Sequence, residues 1–220
     1  MVEIFKEYSD YVMFFSVLLA MMSLVFCWKF DKAMKCFAVY LIMGGCVEYL
    51  ALEMSERVGN NLFLLHIYTI LEFIVLSAFF KVVFDQLGSK FSMLKITIVV
   101  VLLCILNSIF IQPLEGFNSY ASTLVGLVLI VYSAYTFYLL LDKDGVKFRN
   151  IKWLVAGILI YQMTSFIILA SANLLSDITP GSDVILWMVR AIVILFTKII
   201  FGFVLFKEIL KPKYILRFDI

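Results

Sequence analysis

The stretch AIVILFTKIIFGFVLF, residues 191–206, holds one charged side chain, Lys198, among fifteen uncharged residues that are nearly all apolar. A helix needs about 20 mainly apolar residues to cross the hydrocarbon core of a bilayer, and the segment 184–206 has that length. Six earlier segments meet or approach it, at 11–28, 36–52, 62–80, 96–111, 120–141 and 153–175. With 64% hydrophobic residues over 220 positions and a mean hydropathy of +1.07, the chain lies far above the roughly 45–50% apolar content of soluble domains. The fold class is all-α, an integral membrane bundle of seven transmembrane helices that makes one domain of residues 1–220, with a short basic tail at 207–220.

The net charge of +2 becomes informative once it is divided among the connections. Fourteen of the 18 Lys and Arg residues follow spans one, three, five and seven, among them Lys29, Lys81, Lys143 and Lys207. The opposite side carries only Lys6 and Arg57, and Arg190 and Lys198 lie inside span seven. Basic loops stay in the cytoplasm, which predicts an N-terminus outside, a C-terminus in the cytoplasm and an address in the plasma membrane, the inner membrane for a bacterial source. The first span has no basic region before it and reads as a retained helix, not a cleaved signal peptide. The tail, with Lys207, Lys211, Lys213 and Arg217 among apolar residues, is expected to lie on anionic lipid headgroups or to contact a soluble cytoplasmic partner.

The connections are short and carry turn formers, as in RVGNN at 57–61 and SDITPGSD at 176–183. Pro113, Pro180 and Pro212 all fall outside the spans, so proline kinks and broken helices of the transporter kind have no proline to make them. Gly44-Gly45 is the candidate for a close helix contact. Cys27, Cys36, Cys46 and Cys104 lie in or beside spans at no metal-ligand spacing and read as small packing residues. Tyr132, Tyr135 and Tyr138 repeat every three residues on span five and read as core.

Ionisable groups inside a membrane cost about 2.5–3.5 kcal/mol each on insertion scales, so each needs a partner, a wet cavity or a route to the interface. Five stand out: Glu48, His66, Glu72, Arg190 and Lys198. At about 1.5 Å per residue, Glu48 and His66 lie about 7 Å below the outer ends of their spans, Arg190 about 10 Å down and Glu72 deeper. They are candidates to line one ligand or proton pocket in the outer half, together with Thr69, which shares a face of span three with His66 and Glu72. An ion pair that only pins spans two, three and seven together would use the same residues. Arg190 is expected to neutralise Glu48 or Glu72. Lys198, about 13 Å from the cytoplasmic end, is expected to pair with Glu72 or to carry a covalent ligand.

Two segments resemble known families. TKIIFGFVLF, residues 197–206, resembles the last helix of microbial rhodopsins, whose Schiff-base lysine is followed by a Phe-Gly pair, here Phe201 and Gly202. That resemblance implies retinal on Lys198 with Glu72 as counterion; the chain departs from it at Ile194, where that family carries a second acidic residue, and in having no tryptophan in span three. LLHIYTILEF, residues 64–73, is similar to a segment of small seven-span membrane proteins of Bacteroidota-type bacteria, which resemble the membrane input modules of sensor kinases.

A Gly-rich phosphate loop, a nucleophile elbow, a second histidine and an acidic metal cluster are all missing from the sequence, so neither an enzyme nor a metal site is expected. The basic residues are the topological ones, which argues against nucleic-acid binding. The expected function is therefore a receptor-like or sensor-like protein that binds a ligand or proton and, with so short a tail, reports through a separate cytoplasmic partner. The alternative is a small channel or transporter, as a monomer or a homo-oligomer; the retinal pigment is a third reading.

Overall fold

The Asp31 carboxylate opens the second helix: its Oδ1 accepts the Met34 N–H at 2.9 Å and its carbonyl accepts the Lys35 N–H at 2.8 Å. Such a cap satisfies donors that have no partner inside the first turn. At the end of the third helix Gly88 takes a left-handed conformation, φ 73°. The Ser89 N–H thereby folds back to the Phe84 carbonyl at 3.0 Å, and the helix stops there.

A computed structural model describes residues 2–57, 59–89, 91–178 and 182–211, with side chains described at 10–55, 57, 59–89, 91–145, 148–171 and 187–211. The helices are α1 (Val2–Phe26), α2 (Lys32–Arg57), α3 (Phe63–Gln86), α4 (Met93–Phe110), α5 (Ser119–Leu140), α6 (Val146–Ile178) and α7 (Ser182–Leu210), with one turn of 3-10 helix at Cys27–Lys29. All seven are long and apolar enough to cross a membrane, and there is no strand among the described residues. Most run past the apolar windows because hydropathy marks the hydrocarbon crossing, whereas the backbone helix continues into its polar flanks. Thus α2 extends to Arg57, which pairs with Glu53 one turn back at 2.7 Å. Pro180, Pro212, Lys90, Lys213 and Arg217 lie outside the described residues, as do the side chains of Lys6 and Lys147.

Six helices close a ring in the order α1, α2, α3, α5, α6, α7, with α7 packed back on α1. Helix α4 stands outside, against α3 and α5. It buries Met93, Val100, Cys104 and Asn107, whereas Leu94, Ile98, Leu102 and Ile109 stay exposed. An apolar outer face has nothing to hide from lipid, which is as apolar as leucine. The end of the bundle where α1 turns into α2 is the basic end. There the Lys29 ammonium donates to the Ile209 carbonyl at 3.0 Å and the Asn150 amide donates to Glu208 at 2.6 Å.

The basic half is filled with aromatic rings. Phe37 meets Phe201 edge-on at 4.9 Å and Phe79 at 5.6 Å, Phe79 meets Phe80 at 5.2 Å, and Phe80 meets Tyr132 at 6.0 Å. Phe37, Phe79 and Phe80 have no exposed surface. The Phe201 ring rests on Gly157 of α6, where a Cβ would stand 2.6 Å from it. Of the three tyrosines expected in the core of α5, only Tyr132 is buried; Tyr135 and Tyr138 are exposed, since a step of three residues drifts around a helix of 3.6 per turn. The close contact expected of Gly44-Gly45 falls on Gly45, whose added Cβ would lie 2.7 Å from Ala20 Cβ and 2.9 Å from the Ser16 carbonyl of α1.

Candidate functional site, a charged cavity above an aromatic floor

Above the aromatic floor, in the half away from the basic end, the ring is hollow. A cavity of about 260 Å³ lies among α1, α2, α3, α6 and α7. Its charged lining is Glu48, Arg190 and Lys198, its phenols are Tyr40, Tyr68 and Tyr161, and Phe201 borders it from below. Gly44 opens onto it, with only the Tyr68 hydroxyl near the place of a Cβ, at 4.0 Å.

Lys198 pairs with Glu48, and not with Glu72 as its depth predicts. Its ammonium donates to both carboxylate oxygens, at 2.7 and 2.8 Å, and lies 3.5 Å from the Val12 carbonyl. The Ser16 hydroxyl, 2.8 Å from that same carbonyl, touches Glu48 Oε2 as well. The physical reason for the different partner is lean. Helical side chains tilt toward their own N-terminus. Helices α7 and α2 run in opposite directions, so Lys198 reaches away from the basic end and Glu48 reaches down toward it. Glu72, on α3, runs parallel to Lys198 and leans away with it; moreover α3 packs on α2 and α5, whereas α7 packs on α1 and α6.

Glu72 accepts a hydrogen bond from the Gln162 amide of α6 at 3.2 Å. The phenols of Tyr40, Tyr68 and Tyr161 and the Arg190 guanidinium lie within its electrostatic reach. It borders a second, smaller cavity of about 90 Å³ with Thr69, Asn118, Ser122, Gln162 and Ser165, where the Ser165 hydroxyl is buried with no hydrogen-bond partner. The two cavities share a wall of Leu65, Tyr68, Tyr161, Trp187 and Arg190.

Arg190 stands in that wall with its guanidinium carbon 5.4 Å from the Trp187 ring, and Trp187 in turn meets Phe117 edge-on at 5.5 Å. The ion pair expected between Arg190 and Glu48 or Glu72 is not formed: among the described residues no carboxylate lies within ion-pair distance of Arg190. Its Nε is buried with no hydrogen-bond partner.

His66 does not line either cavity. It is 2% exposed, its Nε2 donating to the Gly116 carbonyl at 3.2 Å and its Nδ1 bonded to the Ser108 hydroxyl at 2.8 Å. A carbonyl only accepts, so Nε2 carries a proton. Thr69 lies between, bonded to the Leu65 carbonyl at 2.7 Å and the Ser122 hydroxyl at 3.1 Å. Asn118 reaches Thr69 at 3.1 Å and Asn107 reaches Asn118 at 3.4 Å, so this side of α3 holds α4 and the α4–α5 connection in place. The expected pocket is therefore divided: Glu48, Arg190 and Lys198 share the large cavity, Thr69 and Glu72 the small one, and His66 a structural seam. Sequence reasoning missed Ser16, Tyr40, Tyr68 and Trp187. For the small cavity, Thr69 and Glu72 were anticipated from their shared face of span three, and Gln162 and Ser165, polar residues three apart in an apolar span, were a further available signal.

The carboxylate beside Lys198 is thus Glu48, whereas the rhodopsin resemblance implies Glu72. Among the described residues, His, Cys, Asp and Glu side chains nowhere gather in threes suited to a metal. Compared with known proteins, the chain matches no family model, no curated protein and no solved structure.

Proposed function

We propose that this is a receptor-like or sensor-like protein of the plasma membrane that holds a small ligand in the cavity among α1, α2, α3, α6 and α7 and acts through a separate cytoplasmic partner. The observation that carries the reading is a one-ended interior: a charged hollow in one half, and in the other a floor of Phe37, Phe79, Phe80 and Phe201 with rings 4.9–5.6 Å apart. An open permeation path needs a polar or wet lining through both halves; a binding site needs a concave apolar pocket with a few placed polar groups. The ligand is small, since about 260 Å³ lies just under the roughly 300–1,000 Å³ of drug-sized sites.

Reconstitution without any partner tests this. Proteoliposomes should show no solute or ion flux above empty vesicles. Flux that is lost when Phe201 or Lys198 is replaced replaces this reading with the channel or transporter, as a monomer or a homo-oligomer. The pigment reading has its own measurement. Retinal added to the purified protein should give no visible absorption band, because the cavity that Lys198 borders, about 260 Å³, lies under the roughly 300–1,000 Å³ of drug-sized sites. A band that disappears in Lys198→Ala would restore it.

A further inference from the structure

We propose that the ligand of the large cavity is a small organic carboxylate with an apolar body, its carboxylate seated on Arg190; this rests on the ligand-binding reading above. A guanidinium is charged at every accessible pH, so burial cannot neutralise it. Its donors must be met, because a buried cationic donor without a partner is costly. Here the Nε is buried and unmet. Glu48 is engaged by Lys198 and Ser16, and Glu72, whose Oε1 accepts from Gln162, forms no ion pair with Arg190. The planar fork of arginine matches a planar bidentate acceptor, and the Trp187 ring lies 5.4 Å from its guanidinium carbon.

The rest of the cavity sets the class more narrowly. A phosphate or a dicarboxylate would need a second cation, and the other one, Lys198, is already neutralised by Glu48. An organic cation would meet Arg190 as a like charge. Leu19, Leu41, Leu65, Ala191 and Ile194 supply apolar wall around the remaining space, which suits a short alkyl or aryl group. Tyr68 and Tyr161 line the same wall as Arg190, and a phenol can donate to a carboxylate oxygen.

The test uses the full chain in lipid nanodiscs, with hexanoate and benzoate as probes, hexanol and hexylamine as matched controls, and inorganic phosphate as a bare anion. Trp187 lies at the site, so its fluorescence in a Trp28→Phe, Trp153→Phe background reports binding, with thermal stability as the second readout. Hexanoate or benzoate should bind saturably and raise the melting temperature; the alcohol, amine and phosphate should not. Arg190→Lys should weaken binding about tenfold or more, the value of a charge-assisted bond lost. Ala191→Phe, which leaves Arg190 in place and fills the cavity, should abolish it. Carboxylate binding that persists unchanged in Arg190→Lys and Arg190→Gln overturns the assignment. Saturable binding of hexylamine or hexanol alone, blocked by Ala191→Phe, overturns the carboxylate while the ligand-binding reading stands. No saturable response to any probe by a monodisperse, folded protein overturns the carboxylate proposal by itself, the flux experiment still deciding the broader reading.

Discussion

At the scale of single residues, the Lys198–Glu48 pair joins α7 to α2 at 2.7 and 2.8 Å with side chains 12% and 33% exposed. Removing one partner of a buried pair strands a charge and typically costs about 3–5 kcal/mol; partial exposure of Glu48 puts this pair toward the low end. Lys198→Met and Glu48→Gln should each lower the melting temperature in detergent, and the double variant should recover part of the loss. Lys198→Met combined with Glu72→Gln should instead be additive, since those two residues do not meet, and recovery in that double would sink the assignment. The presence of these charges inside the membrane was legible in the sequence, and so was their approximate depth. The partner was not. Rise per residue gives depth alone, whereas pairing also needs the order of helices around the ring and the direction in which each side chain leans.

Among the helices, the seam between α1 and α2 is close, with a Gly45 Cβ placed 2.7 Å from Ala20 Cβ and 2.9 Å from the Ser16 carbonyl. Overpacking a close seam costs about 1–3 kcal/mol, so Gly45→Ala should destabilise the protein by that order, measured by thermal melting, while Gly44→Ala, facing the cavity, should stay near wild type. Equal losses at both positions would contradict the described seam. A different element depends on His66, whose bonds to Ser108 at 2.8 Å and Gly116 at 3.2 Å seat α4. In His66→Ala, amide hydrogen exchange should quicken around 107–118 and stay unchanged in α7; protection lost in α7 as well would argue against a local role. Helix existence was readable from apolar length. The seat of α4 outside the ring was not, because its exposed and buried faces are both apolar and differ only in what they touch.

For the molecule as a whole, count and alternation of helices were the most legible features, as seven apolar windows and a one-sided charge distribution are independent signals. Orientation in the membrane remains an expectation from charge, and labelling checks it. A membrane-impermeant maleimide should reach Asp144→Cys, in the α5–α6 connection of a cysteine-free background, only after the cytoplasmic face is exposed. Labelling in intact cells would invert the topology. The ring itself, closed by α7 against α1, has a consequence for biosynthesis. Chains enter the membrane from the N-terminus onward, so Glu48 and Glu72 wait in α2 and α3 while four more helices are made, and the seventh then brings Arg190 and Lys198 together. Each of those cations burdens the insertion of α7 by about 2.5–3.5 kcal/mol, and only Lys198 finds a carboxylate at bonding distance among the described residues. The seventh helix is thus drawn into place by a charge laid down five helices earlier, and a nascent chain lacking that helix would present quality-control proteases with an open ring and an unmatched Glu48.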